Sequence, residues 1–307
     1  MYTFIVNPNA RSGLGASIWK QSEKILKERQ ISYQVFFTRY QRHATSIVKE
    51  ITSDLKKHLI VVLGGDGTVN EVINGIVDYS KITLGYIPIG SSNDFARYFK
   101  LNKNPEKALQ TVLSPTRFQD MNIGTICYSH NNRSKHFAVS TGIGFDAAVC
   151  HQAVVSKLKV FLNKLHLGKL TYAGIALHQM LTLSPGKMTI TLDDDKPMTF
   201  DHVYFTAAMN HPFQGGGFKF CPKADPCDDV LDVTVIAGIP KLKVLLLLPT
   251  AFRGWHIHFK GVHIFRCKNI KIESSLPLPV HTDGEPVFLQ RELSANLEPD
   301  KIRVITG

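Results

Sequence analysis

A buried-strand pattern, a glycine turn and a helix pattern follow one another without interruption between residues 59 and 76. The segment Leu59–Leu63 is rich in Val, Ile and Leu, which predicts a strand buried on both faces. Beyond the glycines, apolar residues recur at helical spacing: Val69, Val72, Ile73 and Ile76. A strand that turns directly into a helix is the repeating unit of α/β proteins, so this stretch strongly restricts the fold.

The turn itself reads Gly64-Gly65-Asp66-Gly67-Thr68-Val69-Asn70-Glu71. Glycines at such a turn expose backbone N–H groups at the positive end of the helix dipole, where phosphate binds. Thr68 and Glu71 have the spacing of a capping box, so we expect their side chains to cap the helix. Asp66 places a carboxylate beside the expected phosphate, which implies Mg²⁺. The alternative is a plain strand-to-helix turn, and the motif is neither a Walker A loop nor a dinucleotide fingerprint.

Three further strands are predicted in the first 120 residues, at Phe4–Val6, Ser32–Phe37 and Thr83–Ile87, with helices between them. Strands that alternate with helices indicate a parallel, doubly wound sheet. Ligands bind beyond the carboxyl ends of such strands. The loops that begin at Asn7, Thr38, Gly64 and Gly90 all lie at those ends, so we expect them to converge on one site.

The chain changes character after about residue 120. Short strand patterns follow one another at residues 136–141, 187–192, 197–206, 230–236 and 269–273. This pattern predicts an antiparallel sheet or sandwich. The length of 307 residues suits two domains, which we place at residues 1–122 (α/β) and 123–307 (β-rich), with the last residues able to return to the first domain.

Two apolar segments of the second half have more than one interpretation. A helical face is predicted for Val154, Leu158, Phe161, Leu162 and Leu165. It could pack on the protein's own core or face lipid. The apolar residues between Lys243 and Pro249 could begin a buried helix, which their periodicity does not decide.

The net charge of +11 is unevenly distributed. No Asp or Glu occurs at residues 147–192 or 233–272, and both stretches are basic and apolar. This combination predicts contact with an anionic membrane surface. Nucleic acid is the competing partner, and we rank it lower because no nucleic-acid motif is present.

The remaining composition bears on the compartment. Five cysteines without a C-x-x-C pair argue against a disulfide framework and for a reducing compartment. No signal peptide or membrane-spanning run is visible. We therefore expect a cytoplasmic protein that associates peripherally with the membrane.

Several motifs together resemble the bacterial soluble diacylglycerol kinase family, which is related to sphingosine and ceramide kinases. They are the glycine turn, Asn7-Pro8 with Ser12-Gly13, Thr38 before His43-Ala44, Pro88–Arg97, Gly142–Asp146 and Asp283-Gly284-Glu285. In Pro88–Arg97 the family usually has Thr where this chain has Ser91. NAD kinases share the glycine motif, but their Thr-Pro-Thr-Gly-Ser-Thr-Ala segment is absent.

The resemblance implies a role for each matching residue. Catalysis is expected from Asp66 and from Glu285 or Asp283 as the general base. ATP would be bound by Asn7, Ser12, Gly13, Thr38, Gly64, Gly65, Asp66, Gly67, Thr68, Val69, Asn70, Glu71, Ser91, Asn93 and Asp94. A structural Mg²⁺ is implied at Asp225, Asp228 and Val230, although Asp229 stands where the family usually has Gly.

These observations predict an ATP- and Mg²⁺-dependent lipid kinase, with diacylglycerol as the expected acceptor because Thr68 fits that branch of the family better than the sphingosine kinases. The family also implies a homodimer. Two alternatives remain: a kinase for a soluble acceptor such as NAD, and a nucleotide-binding regulator without catalysis. The intact Asp283-Gly284-Glu285 segment argues against the latter.

Overall fold

The computed structural model describes residues 1–128, 133–155 and 168–307. The first sheet has six strands in the order β2-β1-β3-β4-β17-β5. Its strands are β1 (Tyr2–Val6), β2 (Tyr33–Phe37), β3 (His58–Gly64), β4 (Ile82–Pro88), β5 (Phe118–Met121) and β17 (Ile302–Ile305). Strands β1 to β4 are parallel. The predicted α/β fold is confirmed.

Five helices cover this sheet: α1 (Ala10–Glu28), α2 (His43–Thr52), α3 (Asp66–Ile73), α4 (Asp94–Tyr98) and α5 (Pro105–Leu113). The strands are apolar on both sides because helices pack on both faces. Helices α1 and α5 bury Trp19 and Leu109 against one face. Helices α2, α3 and α4 bury Val48, Val72 and Phe95 against the other. This arrangement is the predicted doubly wound one.

The second sheet has nine antiparallel strands. They are β6 (Gly124–Tyr128), β7 (Arg133–Phe137), β8 (Ser140–Gly144), β9 (Gly186–Leu192), β10 (Met198–Met209), β13 (Leu231–Ala237), β14 (Val262–Cys267), β15 (Asn269–Thr282) and β16 (Glu285–Leu297). The long strands β10 and β15 each pair with both β8 and β9. A two-stranded ribbon, β11 (Phe213–Gln214) and β12 (Phe218–Lys219), stands apart from this sheet.

Within the described residues, the helices that accompany the second sheet are α6 (Phe145–Val155), α7 (Gly168–Thr182) and α8 (Lys241–Ala251). The buried side chains of α8, Val244 and Leu247, pack with Phe205 and Phe220. Most of the predicted helical face at residues 154–165 lies outside the described residues. Among those described, no helix is long and apolar enough to cross a membrane.

The two sheets are joined through β17 and through helix α3. Strand β17 follows β16 and pairs with β4 and β5 of the first sheet. The side-chain amides of Asn70, on α3, and of Asn74, just after it, both donate to the carbonyl of His136 in β7. The C-terminal half of α3 therefore touches the second sheet while its first turn lies at the carboxyl edge of the first.

The predicted single strand at residues 136–141 is wrong in one respect. It is broken at Ala138 and Val139, between β7 and β8. The backbone N–H groups of both residues donate to Asp283 instead of to a neighbouring strand. The break therefore has a physical cause that the strand pattern does not contain.

Candidate active site

The turns after β3 and β4 touch each other through glycine backbone. A Cβ built on Gly90 would lie 2.8 Å from the Cα of Gly65, and one built on Gly65 would lie 3.2 Å from the Cα of Gly90. Only residues without side chains allow this approach. Both turns lie at the carboxyl ends of parallel strands, where ligands bind, so the two turns border the same candidate site.

The predicted capping box on α3 is wrong. The helix begins at Asp66 after Gly65, and neither Thr68 nor Glu71 caps it. The Thr68 hydroxyl accepts a hydrogen bond from the side chain of Asn7 at 3.2 Å. The Glu71 carboxylate accepts from the backbone N–H groups of Arg42 and Ala44 at 2.8 and 3.2 Å, so it caps α2. The spacing fits a cap within one helix, but a neighbouring helix offers free N–H groups nearby.

The loop that leads from β1 into the regular part of helix α1, including the first residues of that helix, has an unusual backbone. Arg11, Ser12 and Gly13 all have positive φ, at 49°, 61° and 94°. The N–H of Gly13 donates to the carbonyl of Asn9 at 3.3 Å, so Arg11 and Ser12 carry the backbone N–H groups of this turn that an anion could meet. Asn7 fixes the loop to the glycine turn through Thr68. The predicted residues Asn7, Ser12 and Gly13 thus lie on one loop at the edge of β1.

Asp66 sits at the first position of α3 and faces a second helix. Its two carboxylate oxygens accept from the backbone N–H groups of Asp94 and Phe95, at 3.0 and 3.4 Å, and so cap α4. Burial, and then the nearby negative charge of Asp94, raise the pKa of Asp66 to about 7. Asp283 adds to this repulsion. A buried carboxylate near two others favours a cation beside it.

Asp283 reaches this edge from the second sheet. Its carboxylate accepts four hydrogen bonds of 2.8 to 2.9 Å, from the N–H groups of Ala138, Val139 and Ser140 and from the side chain of Asn70. Burial raises the pKa of Asp283, and these four bonds oppose the increase. All of its strong acceptor positions are therefore occupied by the protein, which makes it an anchor that holds the second sheet on α3.

Glu285, two residues farther along, is held more loosely. One carboxylate oxygen accepts from the side chain of Gln41 at 3.3 Å. The other lies 3.5 Å from the position of a Cβ built on Gly67. Glu285 is half-buried, and its carboxylate lies directly over the glycine turn. Gln41 lies in the loop that begins at Thr38, and no sequence motif identified it.

A buried polar cluster lies behind the Asp283–Glu285 turn. The Nε2 of His281 lies 2.9 Å from a carboxylate oxygen of Asp146, and its Nδ1 accepts from the N–H of Gly284 at 3.2 Å. Gly142 leaves room for the cluster, because a Cβ there would lie 2.1 Å from Asp146. Asp146 belongs to the sequence motif Gly142–Asp146, but the contact between Asp146 and His281 depends on tertiary structure.

The β11–β12 ribbon joins this cluster to the first sheet. The side-chain nitrogen of Gln214 lies 3.1 Å from Nε2 of His281 and 3.4 Å from the carboxylate of Asp146. Two residues on, the N–H of Gly216 donates to Asp94 at 2.7 Å. The ribbon therefore links Asp94, which contacts Asp66, to the histidine that contacts the Asp283–Glu285 turn.

The other predicted nucleotide residues have mixed placements. Ser91 is exposed at the end of β4, and Thr38 is buried at the end of β2, where its N–H donates to Val6. Asn93 bonds to the carbonyl of its own turn at Gly90. The Val69 side chain is buried in the core, which leaves only its backbone for a ligand.

The predicted structural metal residues lie in a separate loop before β13. Asp225 accepts from the hydroxyl of Tyr98 at 2.8 Å. Asp228 forms an ion pair with Arg266. Asp229 adopts the positive φ of 65° that the family's glycine would favour, and it pairs with Lys301 at 2.7 Å.

Arg266 and Lys301 each pair with one carboxylate of this loop, at Asp228 and Asp229. Within the described ranges no group of three His, Cys, Asp or Glu could hold a metal ion. The assignment of a structural Mg²⁺ to Asp225, Asp228 and Val230 stays a prediction.

The fold and site define a two-domain kinase fold shared by diacylglycerol and NAD kinases. A diacylglycerol kinase from Bacillus anthracis str. Sterne superposes with a TM-score of 0.70 at 21% identity, covering 99% of this chain and 96% of that one. An Archaeoglobus fulgidus NAD kinase in complex with ATP gives 0.55 at 11% identity, covering 99% and 93%. At these identities the likeness concerns the fold.

The family follows from the sequence comparisons. Residues 1–126 match the diacylglycerol kinase catalytic domain, and residues 139–306 match the YegS C-terminal NAD kinase beta sandwich-like domain. The "Putative lipid kinase YtlR" of Bacillus subtilis (strain 168) is 32% identical over 92% of both chains. A diacylglycerol kinase of Mycobacterium tuberculosis (strain ATCC 25618 / H37Rv) is 29% identical over 75% of both. The chain belongs to the bacterial diacylglycerol kinase-like family of lipid kinases.

Proposed function

We propose that this protein transfers the γ-phosphoryl group of ATP to the hydroxyl of a membrane lipid, with diacylglycerol as acceptor and phosphatidic acid as product. One observation carries the proposal: the carboxylate of Glu285, which has acceptor positions to spare, lies over the glycine turn. Its Oε1 is 3.5 Å from the position of a Cβ built on Gly67. A general base and a phosphate-binding backbone therefore lie within reach of one reacting group. The names of the relatives support a lipid acceptor.

The nucleotide would bind along the carboxyl edge of the first sheet. The left-handed backbone at Arg11 and Ser12 and the first turn of α3 would offer N–H groups to phosphate oxygens. Phosphoryl transfer requires positioning and charge stabilisation more than covalent chemistry, which suits a site built from backbone.

Asp66 fits a role as the Mg²⁺ ligand. Burial, and then repulsion by Asp94 and Asp283, raise the pKa of its carboxylate, and a cation would relieve that repulsion. Mg²⁺ in kinases usually binds one or two carboxylates together with phosphate oxygens. When bound, the ion would neutralise charge on the transferring phosphoryl group.

Glu285 is the proposed general base, and Asp283 its positioning residue. Asp283 already accepts four hydrogen bonds, so it has little capacity to take a proton from an acceptor hydroxyl. Glu285 accepts a single 3.3 Å bond from Gln41. A carboxylate is a weak base for an alcohol, so we expect the proton to leave together with phosphoryl transfer.

Glu285→Gln tests this assignment in purified protein. We expect transfer from labelled ATP to diacylglycerol in anionic vesicles to fall by about 10²- to 10⁴-fold, as for loss of a general base, with ATP affinity nearly unchanged. Glu292→Gln is the matched control, because it makes the same change on strand β16 at a half-buried glutamate that pairs with Lys271, away from the glycine turn. Near-wild-type transfer by Glu285→Gln would refute the role of Glu285.

The acceptor is tested in the same assay. Parallel reactions contain NAD, diacylglycerol or no acceptor. Label in NAD would favour the soluble-acceptor alternative, which has support only from the shared fold with NAD kinases. Bound ATP without turnover on any lipid alcohol would favour a regulator. Label in phosphatidic acid would support the proposal.

Peripheral association with an anionic membrane from the cytoplasmic side is part of the proposal. Its support from sequence is the basic and apolar character of residues 147–192 and 233–272, which contain no acidic residue.

A further inference from the structure

Helix α8 is apolar on its outward face as well as on its buried one. Its inward side chains, Val244 and Leu247, are at most 7% exposed, whereas Leu242 and Leu246 are each 68% exposed. The exposed pair lies four residues apart, on one side of the helix. A surface helix ordinarily carries polar residues on its outer face, so this helix has an apolar face without a partner in the described chain.

The exposed apolar surface continues onto α7. Leu177 and Leu181 are 48% and 63% exposed, and they too lie one turn apart. The two helices contact each other. The ammonium group of Lys241, at the start of α8, donates to the carbonyl of Leu181 at 2.9 Å. The outward leucines of the two helices therefore belong to one continuous surface.

At the other end of α8 the surface becomes aromatic. Phe252 and Trp255 are 50% and 54% exposed, in the segment that leads from α8 into the short 3₁₀-helix Trp255–His258. The guanidinium of Arg253 lies over the Trp255 ring at 4.9 Å. An amphipathic tryptophan beside a cation is typical of the boundary between water and lipid.

The charges around this surface have one sign. Lys241, Lys243 and Arg253 lie on or next to α8, and Lys260 follows the 3₁₀-helix. Residues 233–272 contain no Asp or Glu. A protein partner with an apolar face would not require this one-sided charge, whereas an anionic bilayer attracts it.

We propose that these helices form the membrane-docking surface of the protein, which inserts into an anionic phospholipid bilayer. The docking surface consists of Leu177, Leu181, Leu242, Leu246, Phe252 and Trp255. The inference deepens the proposed lipid kinase function and rests on it for its purpose, but binding to a bilayer can be measured without catalysis.

The docking surface is connected to the candidate active site. Phe252 stacks on Phe218 of the β11–β12 ribbon, with ring centroids 4.0 Å apart. The same ribbon donates from Gly216 to Asp94 and contacts His281 through Gln214. A bilayer bound at the docking surface would therefore lie next to the ribbon that borders the site.

Trp255 provides a direct reporter of insertion. The chain has two tryptophans, and the other, Trp19, is buried in the first domain at 5% exposure. In a Trp19→Phe background, we expect Trp255 fluorescence to shift to shorter wavelength when vesicles containing phosphatidylglycerol are added. Lipids brominated near the headgroup should quench it. If the protein sediments with the vesicles but the Trp255 emission is neither shifted nor quenched, the proposal is overturned.

The double variant Leu242→Gln/Leu246→Gln tests the apolar contribution. We expect at least about 10-fold weaker binding to the same vesicles, because binding scales with the apolar area buried. The matched control is Leu55→Gln/Val77→Gln, which changes two exposed apolar residues of the first domain, at 56% and 49% exposure. Equal vesicle binding by the α8 variant and the control would overturn the proposal.

Two further readouts separate the alternatives. Sedimentation equilibrium without lipid measures self-association. If the α8 substitutions dissociate an oligomer and leave vesicle binding as in wild type, the surface is an interface between copies and the proposal fails.

Turnover of a short-chain diacylglycerol in detergent micelles measures the kinase activity without a bilayer. If the α8 variant loses vesicle binding but keeps turnover in micelles, the docking surface is supported. If the wild-type protein inserts into vesicles but phosphorylates no lipid, the docking surface is still supported and only the proposed acceptor is refuted.

Discussion

Asp66→Asn should make the protein more stable at alkaline pH while it abolishes transfer. The pKa of Asp66 is about 7, against 3.8 for an ordinary Asp, so its ionised form is destabilised in the folded protein. At about 1.4 kcal/mol per pKa unit, the difference of roughly 3 corresponds to about 4 kcal/mol above pH 7. Asp66 is half-buried, and solvent screening reduces this to about 2 kcal/mol.

Asparagine keeps one acceptor for the 3.0 Å bond from Asp94 and loses the longer bond from Phe95. That loss costs about 1 kcal/mol. We therefore expect a net gain of about 1 kcal/mol at pH 8, which is about 2 to 4 °C in Tm for a domain of this size.

The sign of the pH dependence follows from linkage. The protonated form of Asp66 favours folding, so its stabilisation is complete below about pH 4 and is lost as the pH rises toward 7. The advantage of Asp66→Asn over wild type should therefore be near zero at pH 5 and complete at pH 8. Thermal denaturation without nucleotide or Mg²⁺ at both values measures it, with the exposed Asp300→Asn as the charge control. A variant that is less stable than wild type at pH 8 would refute the reasoning.

Three further changes test other parts of the site and its support. Asp283→Asn leaves backbone N–H groups without an acceptor, so we expect a loss of about 2 to 4 kcal/mol in urea denaturation, and an unchanged midpoint would contradict the anchoring role. Gly142→Ala places a Cβ 2.1 Å from the carboxylate of Asp146, which disturbs the cluster behind the Asp283–Glu285 turn, so we expect phosphoryl transfer to fall at least about 10-fold while ATP affinity is kept. Gly174→Ala is the control: its Cβ would have no atom within 4 Å, and it should leave transfer unchanged. Arg266→Met removes the partner of Asp228 and of the buried Asp232, so we expect Tm to fall by at least about 2 to 4 °C, for a loss of at least about 1 kcal/mol. If Arg266 holds the loop, EDTA should leave the Tm of wild type unchanged, whereas a large EDTA effect would show that a metal holds it.

Local sequence determined the α/β half of this protein almost completely. The apolar segments that end at Val6, Leu63 and Ile87 are strands because both of their sides pack against helices. The glycine turn lies where the strand and helix periods predict it. These features depend on neighbours in sequence, which is why motif and periodicity are sufficient to locate them.

Side-chain partners could not be read in the same way. Thr68 and Glu71 have the spacing of a cap within one helix, yet their partners are Asn7 and helix α2. The break in the strand at Ala138 depends on Asp283, which lies 145 residues away along the chain. Hydrogen-bonding groups take the donors that folding brings near, and those donors are distant in sequence.

The division between sequence and tertiary structure follows from the same physics. The sequence by itself determined the kind of fold, the glycine turn, and the presence of Asp66, Asp283 and Glu285, because strand, helix and turn preferences are local. Tertiary structure alone decided that Asp283 accepts four hydrogen bonds and acts as an anchor while Glu285 accepts one long bond from Gln41, since that distinction depends on which N–H groups surround each one. It also decided that the leucines of α8 divide between a buried and an exposed face, which a continuous apolar segment cannot indicate.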